Sequence, residues 1–210
     1  MMGKNRYRDL LIIGAGGHGK VVADIAENMD CYKSIIFADA DENIKTCMGY
    51  EVIRELDLEE GFLQERDIIV AIGNSVTRKK ICEELLAKGL FLPTLIHPNA
   101  TVAETARIGC GSVVMAGAVI NADAVIGHAC IINTSSSVDH DCRVGDYCHI
   151  SVGAHLAGTV AIGAHTWVGM GACVNNNLSI CEQCTIGAGA VVVKSIATPG
   201  VYVGVPAKKR

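Results

Sequence analysis

Residues 126–150, IGHACIINTSSSVDHDCRVGDYCHI, decide the fold, because an aliphatic residue returns in them at every sixth position. The spacing continues in both directions without a break. The seventeen positions are Ile96, Val102, Ile108, Val114, Ile120, Ile126, Ile132, Val138, Val144, Ile150, Leu156, Ile162, Val168, Val174, Ile180, Ile186 and Val192. A period of six fits neither an amphipathic helix nor a series of hairpins. It is typical of the hexapeptide repeat of a parallel β-helix.

Each hexapeptide is expected to form one short strand and one corner, so that three complete a triangular coil. Residues about 18 apart then lie on neighbouring coils, about 4.8 Å from each other. The aliphatic side chains would fill the prism, and the small residues four positions later, such as Ala118, Ser136 and Cys148, would let the chain turn. Burial of this ladder, at roughly 1.5–3 kcal/mol per side chain, offsets the entropy lost on ordering.

Length and charge limit the rest. With 210 residues, the chain has room for a second domain, and we expect one over residues 1–95 before a β-helix over residues 96–210. A net charge of −4 and a pI near 6.0 argue against a nucleic-acid binder, which needs a basic face. The apolar run Leu10–Ile13 is too short for a signal peptide or a membrane span, which predicts a cytoplasmic protein.

The first domain carries a glycine-rich turn typical of a Rossmann-like βαβ unit. Residues 10–14 (LLIIG) predict a strand, Gly14, Gly16 and Gly19 form GxGxxG, and a helical pattern follows from Val21. Such a turn lets a phosphate approach backbone N–H groups at a helix N-terminus. Asp39, at the end of a second predicted strand over 34–38, stands where an acid meets a ribose. The alternative is that the glycines only close a tight turn, but His18 inside the loop favours ligand contact.

The remainder of this domain is expected to be small. Residues 40–66 predict a poorly ordered loop, residues 67–72 a third strand ending at Gly73, and residues 76–88 a helix whose Arg78, Lys79 and Lys80 form a solvated face. Residues 91–96 predict a fourth strand. Such a domain is too small for both halves of a dinucleotide-binding sheet. A mononucleotide or a nucleotide-linked ligand fits better.

The ten cysteines are expected to be packing residues rather than ligands or disulfides. Cys130, Cys142, Cys148 and Cys184 occupy the small interior position of the repeat, where a thiol packs as a small apolar group. The CxxC that ends at Cys184 has no second pair at zinc-site spacing. Cys130 and Cys148 would lie on adjacent coils, but a reducing compartment disfavours a bridge between them.

Two histidines on the outer wall are the candidates for chemistry. His140 lies in neither inward position and is flanked by Asp139 and Asp141, and a carboxylate raises the basicity of an imidazole. Gly158, 18 residues on, would leave room for a substrate beneath it. His149 is a candidate ligand contact with Trp167 as its neighbour on the next coil. Asn133 stands in the polar run just before His140, although each of these residues can also be simple polar corner chemistry.

The tail breaks the repeat and ends in Lys208, Lys209 and Arg210. These three residues are either a disordered basic end or a contact for the phosphate of a ligand that lies along the prism. Composition alone does not separate the two alternatives.

Five segments together resemble one family. GAGGHGK at 14–20, AIGN at 71–74, NTSSSVDHD at 133–141, HISVGAHLAG at 149–158 and VGVPAK at 203–208 are similar to the bacterial nucleotide-sugar acetyltransferases of the PglD/NeuD group. The likeness covers nearly the whole chain. It implies a Rossmann-like domain followed by a left-handed parallel β-helix, and a homotrimer that holds acetyl-CoA between two prisms.

The resemblance also assigns roles to particular residues. It implies that His140 is the general base, that Asp141 raises its basicity and that Asn133 lies nearby. Acetyl-CoA would contact His149, Gly158 and Met170. The UDP-sugar would contact Gly16, Gly17, His18, Asp39, Ala40 and Gly73. Family members often carry an acid at the position of Ala40, so no side-chain contact to uridine is expected there. No metal is expected.

The implied reaction is direct N-acetylation of the 4-amino group of a UDP-4-amino-4,6-dideoxy-N-acetylhexosamine, as in bacillosamine synthesis. Alternatives on the same scaffold are O-acetylation of sialic acid or its CMP form, and N-acetylation of GDP-perosamine. A γ-type carbonic anhydrase needs two histidines five residues apart, and no pair in the sequence has that spacing. A nucleotide sensor without catalysis would release no CoA.

Overall fold

The chain divides into two compact units, Met1–Pro93 and Thr94–Arg210, in a computed structural model that describes residues 8–55 and 58–210. The first unit is an α/β sheet with helices, and the second is a parallel β-helix. The fold class expected from the sequence is confirmed.

The first unit is built on one five-stranded sheet. Its elements are β1 (Arg8–Ile13), α1 (Gly17–Met29), β2 (Tyr32–Asp39), β3 (Thr46–Cys47), β4 (Tyr50–Arg54), α2 (Glu60–Gln64), β5 (Arg66–Val70) and α3 (Ser75–Ala87). The strand order is β3-β4-β2-β1-β5, and only β3 runs antiparallel to its neighbour. Leu10, Leu11 and Ile12 of β1 are fully buried, as expected for the central strand of a parallel sheet.

Three predictions for this unit are wrong. Residues 40–66 are not a poorly ordered loop, since β3, β4 and α2 lie there; these elements are too short to show a clear period. Residues 91–96 are not one strand, because only Leu95–Ile96 pairs, and Pro93 within the segment has no N–H to donate. Arg78 does not belong to a solvated face, since it is 1% exposed.

The second unit stacks short strands into a three-sided prism. In chain order these are β6 (Leu95–Ile96), β7 (Thr101–Val102), β8 (Arg107–Ile108), β9 (Val113–Val114), β10 (Val119–Ile120), β11 (Val125–Ile126), β12 (Ile131–Ile132), β13 (Ser137–Val138), β14 (Arg143–Val144), β15 (His149–Ile150), β16 (His155–Leu156), β17 (Ala161–Ile162), β18 (Trp167–Val168), β19 (Cys173–Val174), β20 (Ser179–Ile180), β21 (Cys184–Ile186), β22 (Val191–Val192), β23 (Gly200–Val203) and β24 (Lys208–Lys209).

From β6 to β22, every third strand belongs to the same wall of the prism. Wall 1 contains β6, β9, β12, β15, β18, β21, β23 and β24, wall 2 runs from β7 to β22, and wall 3 runs from β8 to β20. Partners are 18 residues apart, as Ile132 and Ile150 show. Both of these side chains are fully buried, and so are the small Cys130 and Cys148. The interior is therefore the predicted ladder, and those two cysteines are thiols.

The corner between wall 2 and wall 3 has the same backbone on four successive coils. Its second residue adopts a left-handed conformation each time, with φ of +59° at Asp123, +59° at Asp141, +61° at Thr159 and +61° at Asn177. Asp and Asn tolerate this region better than most other residues, whereas the β-branched Thr159 does not. The corner therefore holds the preceding residue in a repeated position on the outer surface.

The tail is ordered, so its interpretation as a disordered basic end is wrong. Strand β23 pairs in parallel with β21, and β24 returns antiparallel to β23, with Tyr202 opposite Lys209. Within residues 8–55 and 58–210, no helix is long and apolar enough to cross a membrane.

Candidate active site

His140 lies on the outer surface at the corner that follows β13, as predicted. Its Nδ1 is 2.8 Å from Oδ2 of Asp141, and the two side chains are each 58% exposed. The backbone N–H of His140 donates to Oδ1 of Asp139, which also accepts from Asn121 Nδ2. The imidazole is thus oriented by one acid, while the other acid fixes the backbone.

The hydrogen bond to Asp141 raises the pKa of His140 above its usual value, and the charges of Asp139 and Asp141 act in the same direction. Since Nδ1 is held by Asp141, the proton of the neutral ring lies on Nδ1 and leaves Nε2 as the base. Asp139 is affected in the opposite sense, because hydrogen bonds from His140 and Asn121 lower the pKa of its carboxyl. His140 and Asp141 together therefore leave Nε2 of the neutral ring unprotonated, which a general base requires.

Gly158 lies directly under the ring of His140. A Cβ placed on Gly158 would be 2.5 Å from Nε2 and 2.6 Å from Cε1 of His140. The space on the next coil, which was expected to stay open for a substrate, is therefore covered by the imidazole itself. Gly158 is needed because the ring packs against its backbone.

A separate cavity of about 340 Å³ opens on wall 1. Its lining is mostly apolar and consists of Asn133, His149, Ser151, Val152, Trp167, Gly169, Met170, Thr185, Ile186, Gly187 and Ala188. Trp167 and Met170 are 50% and 61% exposed, which is unusual for large apolar side chains unless they form a contact surface. The cavity thus brings together Asn133, His149 and Met170 from the predicted site.

Four side chains in this cavity form a connected network. Asn133 Nδ2 is 3.0 Å and Ser151 Oγ 3.5 Å from Nε2 of His149, and the indole N–H of Trp167 donates to Ser151 Oγ. The rings of His149 and Trp167 stack at 12°, with centroids 6.0 Å apart. The network orients His149, and the sequence analysis did not predict it.

The predicted residues of the prism therefore form two groups. Asn133 follows β12 of wall 1 and lines the cavity, whereas His140 and Asp141 follow β13 of wall 2 and do not line it. Gly158 belongs to the group of His140. Within one chain Asn133 and His140 lie at successive corners, because a step of seven residues moves the chain to the next corner. The predicted association of Asn133 with the base stays a prediction.

In the first unit, the predicted residues follow the carboxyl ends of three neighbouring parallel strands. Gly16, Gly17 and His18 follow β1, Asp39 and Ala40 lie at the end of β2, and Gly73 follows β5. Helix α1 begins at Gly17, earlier than expected, so the loop forms its first turn. The crossover changes sides between β1 and β5, and ligands of open α/β sheets bind at such a switch point.

The glycines of this edge fall into two classes. Gly14 has φ of +107°, and a Cβ there would meet Ala71 O at 2.8 Å, while a Cβ on Gly19 would collide with Gly14 O. These two are explained by packing. In contrast, a Cβ on Gly16, Gly17 or Gly73 would meet nothing within 4 Å. Packing within the chain therefore does not require these three glycines, and their contact with a ligand stays a prediction.

Asp39 has a structural role at this edge. Its Oδ2 accepts from Ala15 N at 2.7 Å and its Oδ1 from Asp41 N at 2.8 Å, so the carboxylate joins the loop after β1 to the end of β2. Contact of Asp39 with a ribose remains a prediction. The neighbouring Ala40 is exposed and offers only a methyl group.

Two further residues shape the loop around Gly73. The buried guanidinium of Arg78 donates through Nη1 to Ile72 O at 2.7 Å and to Gly73 O at 2.9 Å. Asn74 caps α3 by accepting from Val76 N and Thr77 N. Arg78 was overlooked because a basic residue near a helix start usually points to solvent.

Across the described ranges 8–55 and 58–210, no group of three or more His, Cys, Asp or Glu side chains is arranged to hold a metal ion. Cys181 and Cys184 have their sulfurs 3.5 Å apart, and burial together with the hydrogen bond to Cys181 raises the pKa of Cys184 to about 11.

Comparison with known proteins gives consistent matches to sugar acetyltransferases. The PglD N-terminal domain family matches residues 9–85. The UDP-N-acetylbacillosamine N-acetyltransferase of Bacillus subtilis (strain 168) is 37% identical over 118 residues. That alignment covers 52% of each chain, so the match spans about half the length of this curated relative.

Solved structures match over a longer range. The acetyltransferase domain of PglB from Neisseria gonorrhoeae FA1090, in complex with acetyl coenzyme A, has a TM-score of 0.92 at 43% identity and covers 97% of this chain and 100% of its own. A histidine-to-asparagine variant of perosamine N-acetyltransferase from Caulobacter crescentus, in complex with CoA and GDP-perosamine, has a TM-score of 0.91 at 37% identity over 96% of each chain.

Proposed function

Because the chain belongs to the PglD-type family of sugar acetyltransferases, we propose that it transfers the acetyl group of acetyl-CoA to the 4-amino group of a UDP-4-amino-4,6-dideoxy-N-acetylhexosamine. The observation that carries the proposal is the His140–Asp141 pair at 2.8 Å on the outer wall of the prism. The similar proteins with acetyl coenzyme A or with CoA and GDP-perosamine bound support this class of reaction.

In this mechanism His140 is the general base. Its Nε2 removes a proton from the sugar amine while the amine nitrogen attacks the thioester carbonyl. The carbon–sulfur bond then breaks, the CoA thiolate takes the proton back from the His140 imidazolium and leaves as the thiol, and the amide remains on the sugar. Asp141 stabilises the imidazolium that forms. General-base catalysis contributes about 10²–10⁴-fold, and positioning of the two substrates supplies much of the rest.

The apolar cavity on wall 1 is the proposed site of acetyl-CoA, with His149 and Met170 in contact with it. This cavity and the His140 corner lie on different sides of the same prism. A reaction between their ligands therefore needs the cavity of one subunit to face His140 of a second, as in the homotrimer that the resemblance implies. Backbone N–H groups would stabilise the oxyanion, and no cysteine acts as a nucleophile.

The proposed site of the nucleotide is the edge formed by Gly16, Gly17, His18 and Gly73. The first N–H groups of α1 have no acceptor within the helix, and they attract the phosphates of a nucleotide diphosphate. The glycines with open space above their Cα atoms allow that approach. Asp39 and Ala40 border the nucleoside, with no acid at position 40.

GDP-perosamine is a second candidate substrate, since the Caulobacter crescentus relative binds it and matches almost the whole chain. Both candidates are 4-amino sugars attached to a nucleotide, so the chemistry at His140 is the same. They differ in the base that the first unit must accept. Sialic acid and its CMP form are acceptors with a hydroxyl group, which needs stronger deprotonation than an amine.

Two measurements test the proposal. Thiol release from acetyl-CoA is followed with UDP-, GDP- and CMP-linked sugars, and calorimetry ranks UDP, GDP and CMP. We expect release with the UDP-linked amine and the tightest binding for UDP. His140→Ala should lower kcat by at least about 10²-fold while UDP binding persists. Unchanged turnover in His140→Ala would refute the role of the base, and stronger binding of GDP would move the assignment to the second candidate.

A further inference from the structure

The hydrogen-bond network around His149 determines which ring nitrogen carries its proton. Asn133 Nδ2 and Ser151 Oγ both lie within hydrogen-bond distance of Nε2. Each belongs to a chain of hydrogen bonds, and the first group of each chain is one that can only donate. One chain starts at the backbone N–H of Thr134 and the other at the indole N–H of Trp167. Neither of these groups can accept a hydrogen bond.

The first chain fixes the orientation of the Asn133 amide. Thr134 N donates to Asn133 Oδ1 at 2.8 Å, so the oxygen must lie on that side. A flipped amide would place two donors against each other there. Nδ2 therefore points at His149 Nε2, 3.0 Å away, and since Nδ2 only donates, Nε2 must accept.

The second chain leads to the same nitrogen. Trp167 Nε1 can only donate, so the buried Ser151 Oγ accepts from it. The hydroxyl hydrogen of Ser151 is then directed to its other polar neighbour, His149 Nε2, at 3.5 Å. Two donors converge on Nε2, and a proton on that atom would face both of them. The proton of the ring consequently lies on Nδ1, the less common tautomer of a free imidazole.

We propose that Asn133 is a positioning residue that acts on acetyl-CoA through His149, because it keeps Nε2 unprotonated and makes the ring a neutral donor through Nδ1. This inference rests on the proposed function, in which His149 contacts acetyl-CoA. The thioester and amide carbonyls of acetyl-CoA accept hydrogen bonds, and they are neutral. An uncharged donor in a mostly apolar cavity suits them, whereas an imidazolium there would be costly to desolvate.

The arrangement also explains why the ring does not rotate away. His149 and Trp167 are partners on adjacent coils, and their rings stack nearly parallel. The indole supports one face of the imidazole and, through Ser151, one of its hydrogen bonds. Asn133 supplies the shorter of the two contacts, at 3.0 Å against 3.5 Å for Ser151, so it should dominate.

The test uses the full chain with ¹⁵N-labelled histidine, and long-range ¹⁵N–¹H correlation spectra report which nitrogen of each ring is protonated. In the wild type we expect His149 to show an unprotonated Nε2 and a protonated Nδ1; His149→Gln identifies its signals. Asn133→Asp keeps the shape, retains an acceptor for Thr134 N and replaces the donor towards Nε2 by an acceptor. It should move the proton to Nε2 and raise the KM for acetyl-CoA about tenfold.

Asn175→Asp is the matched control. Asn175 follows β19 at the same position of the hexapeptide as Asn133 and is exposed, so this change should alter neither the His149 spectrum nor the KM. A protonated Nε2 in the wild type, or an unchanged His149 spectrum in Asn133→Asp, would overturn the inference. If instead the wild type shows the expected tautomer but calorimetry detects no acetyl-CoA binding, the proposed function fails, and the inferred role of Asn133 fails with it.

Discussion

Replacement of Gly158 by alanine tests whether the position of the His140 ring governs turnover. The new Cβ would lie 2.5 Å from Nε2, whereas ordinary contact begins at 3.4 Å, so the ring must withdraw by about 0.9 Å. His140 is 58% exposed and can swing outward. A misplacement of about 1 Å costs about 10²-fold in rate, and we expect kcat to fall by that factor.

The fold should tolerate this change. Gly158 does not have a positive φ, so alanine adopts its backbone without strain, and the atoms nearest the new methyl group belong to the exposed side chain of His140. We expect the free energy of unfolding to change by less than about 0.5 kcal/mol in denaturant titration. Thiol release from acetyl-CoA at saturating substrate measures kcat.

A double-mutant cycle identifies the cause of the loss. If Gly158→Ala acts by displacing the imidazole, it should have no further effect when His140→Ala has already removed the ring. Additive losses, or an increase in the KM for acetyl-CoA at constant kcat, would show that the methyl group blocks acetyl-CoA instead. A kcat within twofold of the wild type would refute the reasoning altogether.

Three further predictions concern other parts of the site. Asp141 raises the pKa of His140, so the base form of His140 is lost as the pH falls through that raised value. Asp141→Asn should therefore shift the acid limb of the kcat/KM profile to lower pH and reduce its plateau about tenfold. An acid limb that does not shift would contradict this prediction. Gly17→Ala should weaken UDP binding about tenfold in calorimetry without loss of stability. In Gly19→Ala the new Cβ would collide with Gly14 O, so the free energy of unfolding should fall by about 3 kcal/mol. Equal stability of the two variants would argue against the separation of these glycines into a ligand-contact class and a packing class. Arg78→Met should lower the free energy of unfolding by about 3 kcal/mol in denaturant titration, because it removes the charged donor that binds the carbonyls of Ile72 and Gly73. A loss below about 1 kcal/mol would show that these hydrogen bonds contribute little to stability.

The prism could be predicted from the sequence because its periodicity is strict. Each coil buries one aliphatic residue per wall, so the positions of Ile132, Ile150 and Val168 define both the strand register and the direction of every other side chain. The exposure of His140 followed from the same count. In contrast, β3 has only two residues, which carry too few alternations to be recognised.

Other features depended on contacts that single positions do not reveal. Arg78 carries a charge that normally marks a surface, and only the carbonyls around Gly73 explain its burial. The network at His149 joins residues 16 apart, as in Asn133 with His149 and Ser151 with Trp167. A spacing of 16 is two residues short of the 18-residue coil. Polar residues 16 apart could therefore have been examined as possible hydrogen-bond partners once the coil length was known.

The corner between walls 2 and 3 is repeated, so the backbone position that holds His140 recurs on four successive coils. The residues after positions 122, 140, 158 and 176 have nearly identical left-handed φ values. The prism therefore presents the same backbone position at intervals of one coil. Position 140 differs from the other three in combining a histidine, an acid directly after it and a glycine one coil later. A histidine placed at another of these positions would be displaced along the prism axis in steps of about 4.8 Å, and the wall 1 cavity that it must face in the proposed mechanism would have to move with it.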